Sequence, residues 1–214
     1  MAGTPQGARK RGRYNEAARN DRAVLEAARE VFLTEGFDAP VSAIAERAGC
    51  GVGSLYRRYP TKEALLQRLC VLAMEQAVEA AEAGLRCPDP WTGLRQYIVD
   101  CVAFGSGALA PLAGRIATTP EMWETSERGN RVIAALVERA RADGALRDGV
   151  TQLDIALLIE QFSRRGSGAL PADDDNNRSR LLAIALDGLR AHNTDPLPGH
   201  PPDPDAYAAR WRRG

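Results

Sequence analysis

Histidine is almost missing from this chain. Only His192 and His200 occur among 214 residues, at or beyond the end of the last expected helix, too far along the chain to orient a nucleophile. Gly-x-Ser-x-Gly elbows, Walker loops and dinucleotide fingerprints are lacking as well, and Asp173 to Asp175 read as solvated loop charges. The expectation is a protein that is not an enzyme and needs no cofactor or metal. Cysteine is sparse too: Cys50, Cys70, Cys87 and Cys101 are separated by 20, 17 and 14 residues, too far for zinc knuckles or redox dithiols. They read as buried thiols of a reducing compartment. No apolar run approaches the ~20 residues that span a bilayer, and Met1 to Arg13 is polar and basic without the apolar core of a secretory signal. A cytoplasmic protein without membrane attachment is expected. Strand signals are scarce, since there are four Phe and five Tyr and the β-branched residues never alternate with polar ones over a strand's length.

What is present is a 3.6-residue apolar period in a chain that is 44% hydrophobic and 26% charged, enough for a sizeable core. From Asp21 to Glu35, Val24, Ala27, Ala28, Val31 and Phe32 form one stripe and Gly36 supplies the stop. Val41 to Ala48 and Val52 to Tyr59 predict two short helices around Gly49, with Ile44, Ala45 and Leu55 inward. Thr61 caps a long fourth helix from Lys62 to about Ala83, long enough to join two domains. Further helices are expected from Trp91 to Phe104, in a short ill-defined piece after Gly105, from Pro120 to Ala142, after a Thr151/Asp154 cap, and from Arg178 to Ala191. Gly166 to Asn177 reads as a loop, and the prolines of Asp195 to Asp205 as an extended or disordered tail. About nine helices in an all-α fold result.

Charge separates the two ends of the chain. The formal net charge is zero, yet residues 1–70 hold 12 basic and 8 acidic side chains, a surplus of positive charge balanced by the remainder. Within that basic part, Val41 to Tyr59 has the pattern of a helix-turn-helix. Ala45 is small where helices cross, Gly49 suits a positive φ at the turn, and Gly51, Val52 and Ser54 leave the start of the second helix slim enough to enter a major groove. Tyr56, Arg57 and Arg58 flank that face with groups suited to phosphate. Each glycine in so short a helix costs about 1 kcal/mol against alanine, so something other than stability favours it. The alternative is a lengthened loop with ordinary solvated arginines.

Arg22-x-x-Leu25-x-Ala27-Ala28, Phe32, Gly36-Phe37, Ile44-Ala45-x-x-Ala48-Gly49, Gly51-Val52-Gly53-Ser54-Leu55-Tyr56-x-x-Tyr59 and Lys62-Glu63-x-Leu65 closely resemble the N-terminal domain of the TetR family of bacterial transcriptional regulators. The later helices resemble the family in number, length and order only. The resemblance implies a three-helix DNA-binding domain joined by helix four to a larger helical ligand-binding and dimerisation domain. It implies a homodimer on a palindromic operator, released by a small-molecule effector, with repression the commoner behaviour in the family. Divided accordingly, the chain has a flexible basic arm over 1–19, the helix-turn-helix domain over 20–66, the regulatory domain over 67–192 and a Pro-rich tail over 193–214.

Carried over by position, Val52 and Ser54 would sit against bases with Gly51 and Gly53 allowing close approach, while Tyr56, Arg57, Tyr59, Lys62, Ser42 and Arg22 complete the DNA-contact set. Pro40 stands where members often have Thr or Ser, so a cap and a phosphate contact are missing there, and Cys50 replaces a more usual Val. The dimer contact would draw on Leu158, Ile159 and Phe162 of one helix and Leu181, Ala185 and Leu189 of the next, the alternative being that these fill the monomer core. Two recognition helices one turn of DNA apart, about 34 Å, would double the discrimination of one. Expected effector walls are Trp91, Cys101, Phe104, Trp123, Ser126, Asn130 and Phe162. Arg9, Lys10, Arg11 and Arg13 would follow the phosphates or a minor groove, or be a solvated tail. The other function class is a helical cytoplasmic ligand-sensing or protein-interaction module without DNA binding.

Overall fold

A computed structural model describes the backbone of residues 6–164 and 171–212 and the side chains of residues 21–164 and 175–212. The described residues form nine α-helices and one 3-10 segment joined by turns and loops, and no strand beyond the isolated bridge between Leu146 and Arg190. They fall into two compact units, Met1–Leu69 and Cys70–Gly214, with the division three residues beyond the expected one.

The first unit holds α1 (Gln6–Glu35), α2 (Val41–Arg47), α3 (Val52–Arg58) and the first turns of α4 (Lys62–Arg86). Its core is the stripe read from the sequence: Ala28, Val31, Ile44, Ala45 and Leu65 are at most 1% exposed, with Phe32 and Leu55 close behind. Thr61 caps α4, its hydroxyl accepting from the Ala64 amide at 3.0 Å. The start of α1 differs from expectation. Backbone from Gln6 to Asn20 is helical, so the basic stretch 6–19 extends α1 rather than forming a flexible arm. Ala, Arg, Lys and Glu dominate there and no proline follows Pro5, a composition that favours helix even without an apolar stripe. Residues 1–5 lie outside the described backbone.

The second unit contains the rest of α4, α5 (Pro90–Phe104), the 3-10 segment Ser106–Leu112, α6 (Pro120–Ala142), α7 (Gln152–Ser163), α8 (Pro171–Gly188) and α9 (Pro204–Ala209). Leu94, Ile98, Leu136 and Ile155 are fully buried at its centre. Asp89 caps α5 and Thr119 caps α6, while Thr151 and Asp154 close a reciprocal box on α7. Two glycines are required by close approach. A Cβ on Gly93 would come within 2.3 Å of the Gly84 carbonyl oxygen where α4 meets α5, and one on Gly107 within 2.5 Å of the Glu160 Cα where the 3-10 segment meets α7.

Two expectations in this unit need correction. The expected loop Gly166 to Asn177 is helical from Pro171, because proline suits a first turn and the three aspartates that follow favour the positive end of a helix; Gly166 to Leu170 lie outside the described residues. The Pro-rich tail is free of helix from Thr194 to Asp203, in keeping with the extended reading, but it then forms α9, whose first turn Asp203 caps and which was not expected.

Candidate functional site

The helix-turn-helix arises from three local choices. Gly49 takes φ +63 and ends α2, its amide bonded to the Glu46 carbonyl at 3.1 Å, and Cys50 donates to the Ala45 carbonyl at 2.9 Å. Gly51 then caps α3 in an extended conformation. Leu55 is the one buried residue of α3 and plugs the helix onto the core, which turns Val52, Gly53, Ser54, Tyr56 and Arg57 outward. Val52 is 39% exposed and Tyr56 45%, unusually open for such side chains. A Cβ on Gly51 or Gly53 would meet no protein atom within 4 Å. Nothing inside the fold therefore demands glycine at either position. Ser42 on α2 and Arg22 on α1 are exposed too. Pro40, as expected, gives α2 no side-chain cap.

Two members of the expected contact set are occupied within the domain. Tyr59 is buried, 7% exposed, and its hydroxyl donates to Asp21 Oδ1 at 2.7 Å. Burial first, and then this hydrogen bond, push its phenol well above the ordinary range. It anchors the end of α3 within the domain, where the extended backbone after Arg58 turns the ring inward. Lys62 is half-buried, its Nζ donating to the Ala39 carbonyl at 2.8 Å and lying 5.7 Å from the Phe32 ring centre, so it closes the chain between α1 and α2. Asp21 was missed in the sequence. It also pairs with Arg58 at 3.3 Å, and no pattern marks a partner 37 residues away.

In the second unit, α4, α5 and the 3-10 segment surround a half-open cavity of about 270 Å³ lined by Gln76, Glu79, Ala80, Asp100, Cys101, Phe104 and Ser106. Of the expected effector walls only Cys101 and Phe104 reach it. Trp91 is a core residue with the Arg190 guanidinium 5.2 Å above its ring, and Phe162 packs on the same core. Trp123 is exposed and donates to Thr118 Oγ1 at 3.1 Å, Asn130 is exposed and accepts from Gln152 at 3.4 Å, and Ser126 sits half-buried on α6, away from this lining. Of the two polar breaks in the α6 stripe, Asn130 lies on its outer side, while Ser126 lies between buried Met122 and Gly129. Burial pushes the Cys70 and Cys101 thiols up to about 12.

Of the expected dimer contacts, Ile159 is a core residue, 5% exposed, because α7 turns it toward Ile155. Leu158, Phe162 and Leu189 are half-buried against that core, and Ala185 is half-buried. Leu181 is 57% exposed, and the sequence reading missed Ile184, 64% exposed on the same helix. Three residues along an α-helix share a face, a spacing that could have found it.

An exposed, slim helix held by a buried leucine, in a three-helix unit followed by a larger helical unit, has the build of a helix-turn-helix DNA-binding protein. Comparison with known proteins agrees. The family model described as bacterial regulatory proteins of the tetR family matches residues 24–69, and one described as the C-terminal domain of SbtR-like transcriptional regulators matches residues 89–191. Among solved structures, a TetR transcription regulatory protein from Mycobacterium vanbaalenii is 27% identical with a TM-score of 0.59, over 83% of this chain and 98% of the other. A TetR transcriptional regulator from Streptomyces coelicolor is 25% identical with a TM-score of 0.58, over 79% and 98%. No curated protein matches. The chain belongs to the TetR family and is a DNA-binding transcriptional regulator. Among the described residues no helix is long and apolar enough to cross a membrane.

Proposed function

We propose that the protein is a homodimeric repressor of a palindromic operator, released when a small effector occupies the second unit. The observation that carries this reading is the open face of α3. Val52 and Ser54 would meet base edges, Gly51 and Gly53 would let the backbone approach, and Tyr56, Arg57, Ser42 and Arg22 would hold phosphates. Exposed leucine and isoleucine on α8 support dimerisation, and the cavity beside Cys101 and Phe104 supports an effector. An effector preferring one conformer needs a coupling of only ~1 to 3 kcal/mol to shift the population. The basic stretch Arg9 to Arg13, as the start of α1, would add salt-dependent affinity.

Selection of bound duplexes from random DNA tests the reading. The protein should enrich an inverted repeat, with affinity falling steeply as salt rises. Replacing Tyr56 and Arg57 together with alanine should abolish selection and leave helicity unchanged. Selection unaffected by that double change would refute the contact face.

A further inference from the structure

Among the described residues Glu160 is the one charged side chain that is buried, 4% exposed on α7. Both groups that compensate it come from the far end of the chain. Tyr207 Oη donates to Glu160 Oε1 at 2.5 Å, and Arg210 Nη1 lies 3.5 Å from Oε2. The Arg210 guanidinium also stacks 5.0 Å from the centre of the Tyr207 ring, so phenol and cation reach the carboxylate as one unit. Tyr207 and Arg210 lie outside the matched C-terminal family domain, which ends at residue 191.

The hold on this appendage is narrow. Helix α9 has six residues and none of them is buried. A helix so short does not persist alone in water, so its structure depends on docking. The chain from Thr194 to Pro201 is exposed, tied down by the Arg147 guanidinium on the Asp195 carbonyl. Local release of such a segment costs far less than global unfolding. While α9 is docked, its phenol and guanidinium satisfy the Glu160 oxygens; when α9 departs, those oxygens open to other donors, water or a ligand that presents the same pair of groups. The 3-10 segment closes one side of the site at Gly107, whose missing Cβ leaves just enough room for the Glu160 backbone.

We propose that Glu160 is the floor of a second binding site, kept occupied by the chain's own C-terminal segment, which accepts a small molecule carrying a phenolic hydroxyl and a cation in place of Tyr207 and Arg210. The tether holds α9 at an effective concentration on the order of millimolar, so the free ligand must compete with it and binding undocks the tail. Tyramine, a phenol with one ammonium group, is the probe. Titrated calorimetrically into the full chain and into Tyr207→Ala, it should bind the variant about tenfold more tightly, because the internal competitor is weakened. Adding Glu160→Gln to that variant should remove the gain, and neutral 4-ethylphenol should bind less tightly than tyramine. Tyr207→Phe keeps the ring and the docked helix and should fall between the two. Equal affinity for the unaltered chain and Tyr207→Ala, or affinity unmoved by Glu160→Gln with helicity intact, would overturn the proposal. None of these readouts involves DNA, so their failure would leave the operator reading standing.

Discussion

Tyr56 and Tyr59 are the same residue type three positions apart at the end of α3, and the fold gives them opposite work. Tyr56 stands open while Tyr59 is buried with its hydroxyl on Asp21. Tyr59→Phe should therefore lower stability by about 1 kcal/mol, read by denaturant titration, and leave operator affinity of the folded protein unchanged. A loss of affinity as large as that from Tyr56→Ala would return Tyr59 to the contact face. The buried thiols make a second prediction. Cys70 and Cys101 are held up to about 12 by burial, against an ordinary value of 9.0, so the unfolded chain loses these protons first as pH rises. Their contribution to stability is intact below pH 9.0 and declines from there toward about 12. Chemical denaturation across that window should show falling stability, with the slope reduced in Cys70→Ala and Cys101→Ala. The residue types of the contact set were legible in the sequence, but which tyrosine turned inward was not, because one extended residue after α3 decides it.

Helix boundaries were legible at three of the threonine caps, though not at the Asp203 cap of α9. Thr61, Thr119 and the Thr151/Asp154 box all act where the sequence put them. Thr151→Ala removes both the acceptor for the Asp154 amide and the hydroxyl that donates to Asp154 at 2.6 Å, and should cost about 1 kcal/mol in thermal or denaturant unfolding. An unchanged midpoint would mean that the start of α7 is held by packing alone. Boundaries without such a signal were misread. The start of α1 lacks an apolar stripe, and the aspartates of α8 resemble a loop until their place behind Pro171 is considered. The tail misled for a related reason: its prolines suppress regular structure over most of its length, yet Pro204 stands at a helix start, where proline is at home.

For the whole molecule, the unpaired apolar surface of α8 is the feature that a single chain leaves unexplained. Leu181 and Ile184 are each more than half exposed on one face. Replacing both with glutamate should convert the proposed dimer to monomer in sedimentation or light scattering at micromolar concentration, and should weaken binding to the proposed operator because two half-sites no longer act together. A dimer of normal mass would place the interface elsewhere. Ile159, by contrast, belongs to the core of the second unit and would report on stability instead.

Periodicity, capping residues and the glycines of the turn were sufficient to determine from the sequence an all-helical fold and a helix-turn-helix between Val41 and Tyr59, and the resemblance of the residues from Arg22 to Leu65 pointed to the family. These signals act over three or four residues and leave a direct trace in local order. Partners far apart along the chain were decided by tertiary structure alone: Asp21 with Tyr59, the α4 and α5 walls of the cavity, and Glu160 with Tyr207 across 47 positions. Such pairs are selected by where packed helices bring their side chains, and no spacing rule within one helix encodes that meeting.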